Sequence, residues 1–186
     1  MLQLDQPIET ARLTIRPFLM SDLEQLYAMH RLPEVVRYLY TDTRDRDETR
    51  QALEAKIRRS NTLDEAQLHL AALRRDTGEL VGDLVIFIRS PEHAMGEIGY
   101  IFHPDHQGLG FATEAALELL RIGFERLRLH RVIARCDARN HGSYRVMERL
   151  GMRREAHFVE NESIKGEWTD ELVYAMLERE WVARPT

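Results

Sequence analysis

Residues 107–112, which read Gln-Gly-Leu-Gly-Phe-Ala, form the segment whose composition points most directly to chemistry. They lie between an alternating apolar segment and a helical apolar pattern, so the turn leads into the start of a helix. A helix start offers N–H groups without intrahelical partners, and the helix dipole adds a partial positive charge there. A pyrophosphate group would satisfy those N–H groups. The residue types alone leave two interpretations, a tight turn built on glycines or an anion-binding site.

Other phosphate-binding motifs fit this turn less well. A Walker loop needs Gly-Lys followed by Ser or Thr, and the sequence has no such segment. A dinucleotide fingerprint needs Gly or Ala three residues after Gly110, where this chain has Thr113. That fingerprint also needs an opening βαβ unit, with which this chain does not begin. Both motifs are set aside.

The strands that must position this turn are predicted from apolar alternation. Residues 13–16 predict a first strand, and Pro17 ends it because proline lacks the N–H that a continuing ladder would use. Further strands are predicted at residues 67–74, 80–88, 96–102, 131–137, 155–164 and 170–177. The turn at residues 76–79 joins the first two of these strands into a hairpin, since Gly78 suits a tight turn.

Helices are predicted between these strands. Asp22 is predicted to cap one helix, and the mixed charges of residues 44–48 are predicted to open another, solvated one. Apolar residues at i, i+3 and i+4 predict a helix from about Phe111 with one stripe packed on a sheet. A shorter helix is predicted from about His141 and is stopped by Gly151. The order of elements predicts a mixed α/β sheet with helices on both faces.

Composition restricts the class of protein. The 186 residues suit one domain spanning 1–186, and 44% apolar with 31% charged residues is typical of a folded protein. The central apolar run, residues 84–88, is far shorter than the roughly 20 residues of a membrane span, so no membrane partner is expected. The net charge of −5 disfavours a nucleic-acid partner. A start without a secretory signal and a single cysteine, Cys136, favour a cytoplasmic location.

Several separated motifs resemble one enzyme family. The spacing Gln-x-x-Gly-x-Ala at residues 107–112 is similar to the acyl-CoA loop of the GNAT superfamily of N-acetyltransferases. The resemblance runs along nearly the whole chain and is to the branch that contains the ribosomal-protein N-terminal (alanine/serine) acetyltransferases. Its other pieces are Thr-Ala-Arg-Leu-Thr-Ile-Arg at residues 10–16, Gly-Glu-Ile-Gly-Tyr at 96–100, Ala-Thr-Glu-Ala at 112–115, the segment 140–152 and Trp-Thr-Asp at 168–170.

The resemblance implies a GNAT-like fold and a track for CoA. The implied fold is a single-domain α/β protein whose mixed, mostly antiparallel sheet is splayed between strands 4 and 5, residues 96–102 and 131–137. Acetyl-CoA is the implied co-substrate. The implied cofactor contacts are the backbone of Ile101, Phe102 and His103 for pantetheine, the loop Gln107, Gly108, Leu109, Gly110, Phe111, Ala112 and Thr113 for pyrophosphate, and Asn140 and Ser143 near the sulfur.

Acetyl transfer to an amine needs a neutral amine, a stabilised oxyanion and a proton for the departing thiolate. The resemblance implies Ser143 as the proton donor, and Tyr144 is the rival donor by proximity. Capping of a helix start is the alternative role for Ser143 and for Asn140. A backbone N–H near Phe102 is implied as the oxyanion site.

Glu97 is the first candidate for the base. It alternates with Ile98 and Tyr100, so it lies on the opposite face of the strand. If that face is the acceptor cleft, the carboxylate could orient an ammonium group or remove its proton through water. His69 and Glu160 are weaker candidates for the same role.

No metal site is expected. His103 and His106 flank Pro-Asp in the loop, but two histidines without further ligands at a recognisable spacing make a poor zinc site. Cys136 shares a strand face with Val132 and Ala134, which indicates a small core residue and not an acyl-cysteine nucleophile.

The predicted function is acetyl-CoA-dependent N-acetyl transfer to a primary amine by direct attack in a ternary complex. The acceptor is either a protein N-terminus or a small amine, selected by residues 31–62 and 158–168, the segments that match the family least. A non-catalytic acyl-CoA-binding sensor is the alternative, and a nucleotide-binding protein that uses the same turn is a third hypothesis. The resemblance also leaves a homodimer open, because relatives are often dimers.

Overall fold

The computed structural model describes residue 4, residues 6–61 and residues 67–184, so Thr62 of the predicted acceptor segment lies outside the described residues. Within these ranges eight strands form one sheet in the order β1-β2-β3-β4-β5-β6-β8-β7. β5 and β6 are parallel, and the other neighbouring pairs are antiparallel. The strands are β1 (Ile8–Glu9), β2 (Leu13–Pro17), β3 (Gln67–Arg74), β4 (Leu80–Ser90), β5 (Met95–Phe102), β6 (Arg131–Asp137), β7 (Arg153–Ile164) and β8 (Glu167–Leu177). The predicted mixed, mostly antiparallel sheet is confirmed.

Helices cover both faces of this sheet, as predicted. In the described ranges they are α1 (Leu23–His30), α2 (Pro33–Val36), α3 (Arg46–Asn61), α4 (Phe111–Arg121), α5 (His141–Arg149) and α6 (Glu178–Val182). α4 and α5 pack on one face, where Leu119 and Met147 join Ile98 in the larger core cluster. α1 and α3 pack on the other face, where Leu26 and Leu53 contact a second cluster. None of these described helices is long and apolar enough to cross a membrane.

Most local signals in the sequence act as predicted, with one exception. Pro17 ends β2, and Gly151 follows α5 with φ +77°, the left-handed conformation that stops a helix. Asp22 precedes α1, but its side chain does not cap the helix. Its carboxylate instead accepts hydrogen bonds from the N–H of Leu19 at 2.8 Å and from the guanidinium of Arg16 at 2.7 and 2.8 Å. The predicted cap is wrong because a charged partner from β2 binds the carboxylate.

The other differences lie at the ends of elements. β7 begins at Arg153, earlier than predicted, and β8 begins early at Glu167 because only Lys165 and Gly166 separate the two strands. The helix that follows the glycine turn changes to a π-helical turn at Ile122–Arg126. β1 and α2, of two and four residues, were not predicted because such short segments carry no measurable periodicity.

The sheet opens between β5 and β6, the fourth and fifth of the predicted strands. These strands pair at three positions, Met95 with Arg131, Gly96 with Val132, and Glu97 with Ile133. β5 stays paired with β4 as far as Phe102, and β6 stays paired with β8 along its whole length. The two halves of the sheet therefore part after Glu97, and the predicted splay is confirmed.

Candidate active site

The opening leaves backbone groups of β5 without a strand neighbour on one side. The N–H of His103 donates to the carbonyl of Val81 on β4 at 3.0 Å. Because residues of an antiparallel strand alternate in hydrogen-bonding direction, Ile101 also faces β4, whereas Tyr100 and Phe102 direct their backbone groups into the gap. The predicted pantetheine contacts are corrected accordingly. Phe102 is available, but the backbone groups of Ile101 and His103 point away from the gap.

The glycine turn ends at the N-terminus of α4, beside this gap. Gly108 and Gly110 both have positive φ, +75° and +84°, which glycine adopts without steric cost. The first intrahelical hydrogen bond runs from the N–H of Glu114 to the carbonyl of Gly110 at 3.1 Å. The N–H groups of Phe111, Ala112 and Thr113 therefore precede the helical ladder and are oriented for an anion. The N–H of Gln107, in contrast, donates to the carbonyl of Pro104 at 3.0 Å.

One cavity of about 610 Å³ joins the gap, the turn and the start of α5. Its wall contains most of the residues that the resemblance assigns to CoA, namely Ile101, Phe102, Gln107, Gly108, Gly110, Phe111, Ala112, Thr113, Asn140 and Ser143. Leu109, whose side chain is exposed, and His103 lie outside this wall. The fold thus brings together Ile101 and Ser143, which are 42 positions apart in the sequence.

Two hydroxyl groups meet at the end of the cavity nearest α5. The side chain of Asn140 accepts a hydrogen bond from the N–H of Ser143 at 3.1 Å and so caps the helix, which is the alternative role considered for it. Tyr100 donates its hydroxyl proton to the carbonyl of Ser143 at 2.9 Å, and the Ser143 hydroxyl donates to the Tyr100 oxygen at 3.3 Å. Burial raises the pKa of Tyr100, so its phenol stays protonated.

Cys136 lies beside this pair as a neutral thiol. Burial raises its pKa to about 11, and a hydrogen bond with Ser143 offsets part of that increase. A thiol with this pKa is not a nucleophile at neutral pH. It is half-buried against the larger core cluster, where a small core residue was expected.

Tyr100, Arg145 and Arg149 were missed by the sequence analysis but line the cavity. Tyr100 was treated only as an apolar partner of Ile98, and its hydroxyl partner comes from α5. The two arginines stand four residues apart on α5, and this spacing was the available signal for a basic helix face. Tyr144, the rival proton donor, lies outside the cavity wall and has its ring 5.5 Å from that of His141.

Glu97 lies on the opposite face of β5, as its alternation predicted, within a charged cluster. Its carboxylate accepts hydrogen bonds from Arg89 at 2.7 Å and from Arg135 at 3.2 Å. Arg135 also donates to Glu171 at 2.9 Å and lies 3.9 Å from a carboxylate oxygen of Glu162. Burial raises the pKa of Glu171. We call Glu97, Arg135, Glu162 and Glu171 the carboxylate cluster.

The two segments predicted to select the acceptor meet at this cluster. Tyr40, from the segment after α2, donates its hydroxyl to Glu162 of β7. Lys165, in the turn between β7 and β8, donates to the carbonyl of Val36 at 2.7 Å. Tyr38 and Leu39 lie in the cavity wall, so this region adjoins the cavity.

The weaker base candidates lie elsewhere. His69 is buried on β3, and burial together with the charge of Lys56 lowers its pKa to about 4. Glu160 is exposed in a bulge of β7. His106 is 3.1 Å from the carboxylate of Glu79, and the His103 ring accepts from the N–H of Asp105. Among residues 6–61 and 67–184 no group of three or more His, Cys, Asp or Glu side chains is arranged to hold a metal ion.

Comparison with known proteins agrees with this geometry. The profile of the Acetyltransferase (GNAT) domain family matches residues 12–153. The uncharacterized N-acetyltransferase YnaD of Bacillus subtilis is 36% identical over 174 residues, which are 94% of this chain and 98% of that protein. A crystal structure of a GNAT-family acetyltransferase from Bacillus anthracis has a TM-score of 0.83 and 34% identity, and the match covers 94% of this chain and all of that one.

A second solved structure, from Vibrio cholerae, is assigned provisionally as a ribosomal-protein-serine acetyltransferase. It has a TM-score of 0.80 and 26% identity, with 95% of this chain and 99% of that chain covered. Fold, site and relatives define an acyl-transfer enzyme. The chain belongs to the GNAT family of N-acetyltransferases. Its co-substrate is accordingly acetyl-CoA, and its acceptor is an amine.

Proposed function

We propose that the protein transfers the acetyl group of acetyl-CoA to a primary amine by direct attack within a ternary complex. The observation that carries this proposal is the gap after Glu97, into which Phe102 directs a free N–H group. A pantetheine arm in the gap would hydrogen-bond to β5 as an added strand does. The pyrophosphate would then lie on the N–H groups that open α4.

Positive charge along α5 supports this orientation of CoA. Arg145 and Arg149 both line the cavity. Arginine is suited to phosphate because its planar group donates two parallel hydrogen bonds. We propose that these two residues contact CoA phosphate groups that the α4 N-terminus does not reach.

The chemistry at the other end involves one bond formed and one broken. The amine nitrogen bonds to the thioester carbon and then loses a proton to water, and the carbonyl oxygen becomes an oxyanion that the N–H of Phe102 stabilises. When the C–S bond breaks, the Ser143 hydroxyl gives its proton to the thiolate sulfur and is reprotonated from solvent. Tyr100 positions Ser143, because it donates to the Ser143 carbonyl and accepts from its hydroxyl.

The carboxylate cluster is the proposed approach for the amine. Three carboxylates against Arg135 and Arg89 leave one excess negative charge, which favours an ammonium group. Glu97 and Tyr100 are three residues apart on a strand, so about 10 Å separates them. Glu97 therefore attracts the ammonium group on its approach, and the amine loses its proton to water before it reaches the thioester.

A protein N-terminus is the proposed acceptor. The relationship to the Vibrio cholerae structure supports it. A small polycationic amine is the second candidate, because the excess negative charge of the cluster would bind a diffuse cation equally well. The single cysteine supports a cytoplasmic location.

An acceptor screen with acetyl-CoA and thiol detection tests the proposal. It should include peptides with free N-termini, the same peptides with blocked N-termini, amino acids and polyamines. Release of CoA with free but not blocked peptides is expected. Turnover with polyamines alone would show that the acceptor is a small polycationic amine and not a protein N-terminus. CoA binding without turnover on any amine would favour the sensor, and displacement of CoA by ATP or NAD in calorimetry would favour the nucleotide-binding hypothesis.

The role of Glu97 is tested with a matched carboxylate. Glu97→Gln should lower kcat/KM for the amine while KM for acetyl-CoA is unchanged. Glu92→Gln serves as the control, since Glu92 is exposed in the turn between β4 and β5, outside both acceptor segments and the cavity wall. An equal effect of both substitutions would contradict the assignment of Glu97.

A further inference from the structure

Arg12 lies one residue before β2 and outside the cavity wall, yet it contacts the glycine turn twice. Its Nη1 donates to the carbonyl of Leu109 at 2.6 Å. Its guanidinium also stacks over the ring of Phe111, with 4.8 Å between the guanidinium carbon and the ring centre. A residue from the far end of the chain thus fixes both sides of Gly110.

Glu114, in the first turn of α4, holds Arg12 in this position. Its Oε2 accepts from Nε of Arg12 at 2.7 Å and lies 2.7 Å from Nη2. Its Oε1 accepts from the N–H of Arg12 at 2.8 Å and from the hydroxyl of Thr10 at 2.6 Å. Arg12 is therefore attached through both backbone and side chain to the helix that begins at the turn.

The bond to Leu109 determines where the next N–H points. In a trans peptide the C=O of one residue and the N–H of the next point in opposite directions. When Arg12 holds the Leu109 carbonyl, the N–H of Gly110 is directed away from Arg12. Gly110 lines the cavity, whereas Arg12 does not, so this direction is towards the cavity.

The spacing at Gly110 fits the same arrangement. A Cβ added there would be 3.2 Å from Nη2 of Arg12, a contact closer than side chains normally make. A side chain at this position would therefore require Nη2 of Arg12 to move by a few tenths of an ångström. The charge of Arg12 is already paired with Glu114, so Arg12 acts on the loop and is not itself a phosphate ligand.

We propose that Arg12 is a positioning residue, held by Glu114, that aims the Gly110 N–H at the pyrophosphate of CoA. This inference rests on the proposed location of CoA. If Arg12 only stabilised the fold, its substitution would weaken the binding of every ligand. As a positioning residue, its substitution should weaken only ligands that carry the pyrophosphate.

The test measures Kd for CoA and for pantetheine, which lacks the pyrophosphate, by calorimetry. Arg12→Lys keeps the charge, but its single ammonium nitrogen cannot reproduce the separate contacts that Nε, Nη1 and Nη2 make with Glu114 and Leu109. Glu114→Gln removes the charged acceptor for the side chain of Arg12. Each should raise Kd for CoA about tenfold, as expected when hydrogen bonds of charged groups are lost. Kd for pantetheine should stay within about twofold. KM for acetyl-CoA should rise with kcat within about twofold at saturation.

Arg153→Lys is the matched control, because the Arg153 guanidinium likewise holds two acceptors, the carboxylates of Glu155 and Glu180, and its side chain is 46% exposed, against 48% for Arg12. It should change neither Kd. The inference is overturned if CoA binding changes by less than about twofold in both variants, or if pantetheine weakens as much as CoA. Gly110→Ala separates the role of Arg12 from the location of CoA. If Gly110→Ala weakens CoA binding but the Arg12 and Glu114 variants do not, the positioning role of Arg12 is wrong and the CoA site stands. If none of the three variants weakens CoA binding, the proposed CoA site is wrong.

Discussion

Replacing Ser143 by alanine removes the hydroxyl proposed to protonate the departing thiolate. A positioned general acid contributes roughly 10²- to 10⁴-fold to a rate, and the lower end applies because Ser143 is half-buried and water can partly replace it. We therefore expect kcat to fall about 10²-fold, or about 2.7 kcal/mol. KM for acetyl-CoA should change by less than about threefold, since the N–H groups of α4 remain in place.

Structural damage from this substitution should be small. The capping bond between Asn140 and the N–H of Ser143 involves the backbone and survives. The hydroxyl bond to Tyr100, at 3.3 Å, is long, so its loss should cost about 0.5 kcal/mol of unfolding free energy. A 10²-fold loss of kcat with this small change in stability would separate chemistry from folding.

Tyr100→Phe completes a double-mutant cycle. It removes the donor to the Ser143 carbonyl, which should cost about 1 kcal/mol of stability and lower kcat about tenfold. Because Tyr100 acts through Ser143, the double variant should be no slower than Ser143→Ala within about threefold. If the kcat losses of the two single variants instead multiply in the double variant, Tyr100 acts as an independent proton donor.

The assay is thiol release at fixed pH with the best amine of the acceptor screen, and Tyr144→Phe is the control. Tyr144 lies outside the cavity wall, so kcat of that variant should stay within about twofold. The donor assignment is refuted if Ser143→Ala keeps kcat within about threefold of the unmodified protein. It is also refuted if Tyr144→Phe matches the loss.

Three further outcomes follow from other parts of the structure. Gly110→Ala places a side chain at φ +84° and should cost about 1–2 kcal/mol of stability and raise Kd for CoA at least tenfold, measured by thermal unfolding and calorimetry. Burial lowers the pKa of His69 to about 4 in the folded protein, from the ordinary value of 6.5, so folding favours the neutral imidazole. The stability that this difference contributes is fully present above pH 6.5 and is lost as the pH falls towards 4. In unfolding curves measured at pH 7 and pH 4, the loss of unfolding free energy on acidification should be about 3 kcal/mol smaller for His69→Gln than for the unmodified protein. Lys165→Met breaks the tie to the Val36 carbonyl and should raise KM for the amine several-fold, with KM for acetyl-CoA unchanged in the same kinetic assay.

Local patterns predicted the elements of the sheet because each pattern reports an interaction within a few residues. Alternation of apolar and polar residues predicted the strands, because one face of each strand is buried, and Gly151 predicted the end of α5. The parting of β5 and β6 has no such signal. It depends on which strands become neighbours, and only the resemblance to a family indicated it.

The unpredicted parts of the site depend on contacts between distant segments. Tyr100 meets Ser143 across 43 positions, and Arg12 meets Leu109 across 97. Nothing in the sequence near Tyr100 distinguishes a buried ring from a hydroxyl that holds a donor. Asp22 is different, because its partner Arg16 is only six residues away, and the predicted helix cap failed on a local contact.

The pH dependence of the reaction follows from the position of Glu97. Its two oxygens accept from Arg89 and Arg135, and a carboxylate has about four acceptor sites, so two remain for an ammonium group. With Glu97 about 10 Å along the strand from Tyr100, deprotonation of the amine occurs through water. The enzyme then uses the neutral fraction of the amine, and kcat/KM should rise about tenfold per pH unit below the pKa of the acceptor. A protein N-terminus should give a plateau above about pH 8, whereas an alkyl amine should still rise at about pH 9.5. Glu97→Gln should lower both curves without moving the inflection, and curves that are unchanged in that variant would contradict a role of Glu97 in amine binding.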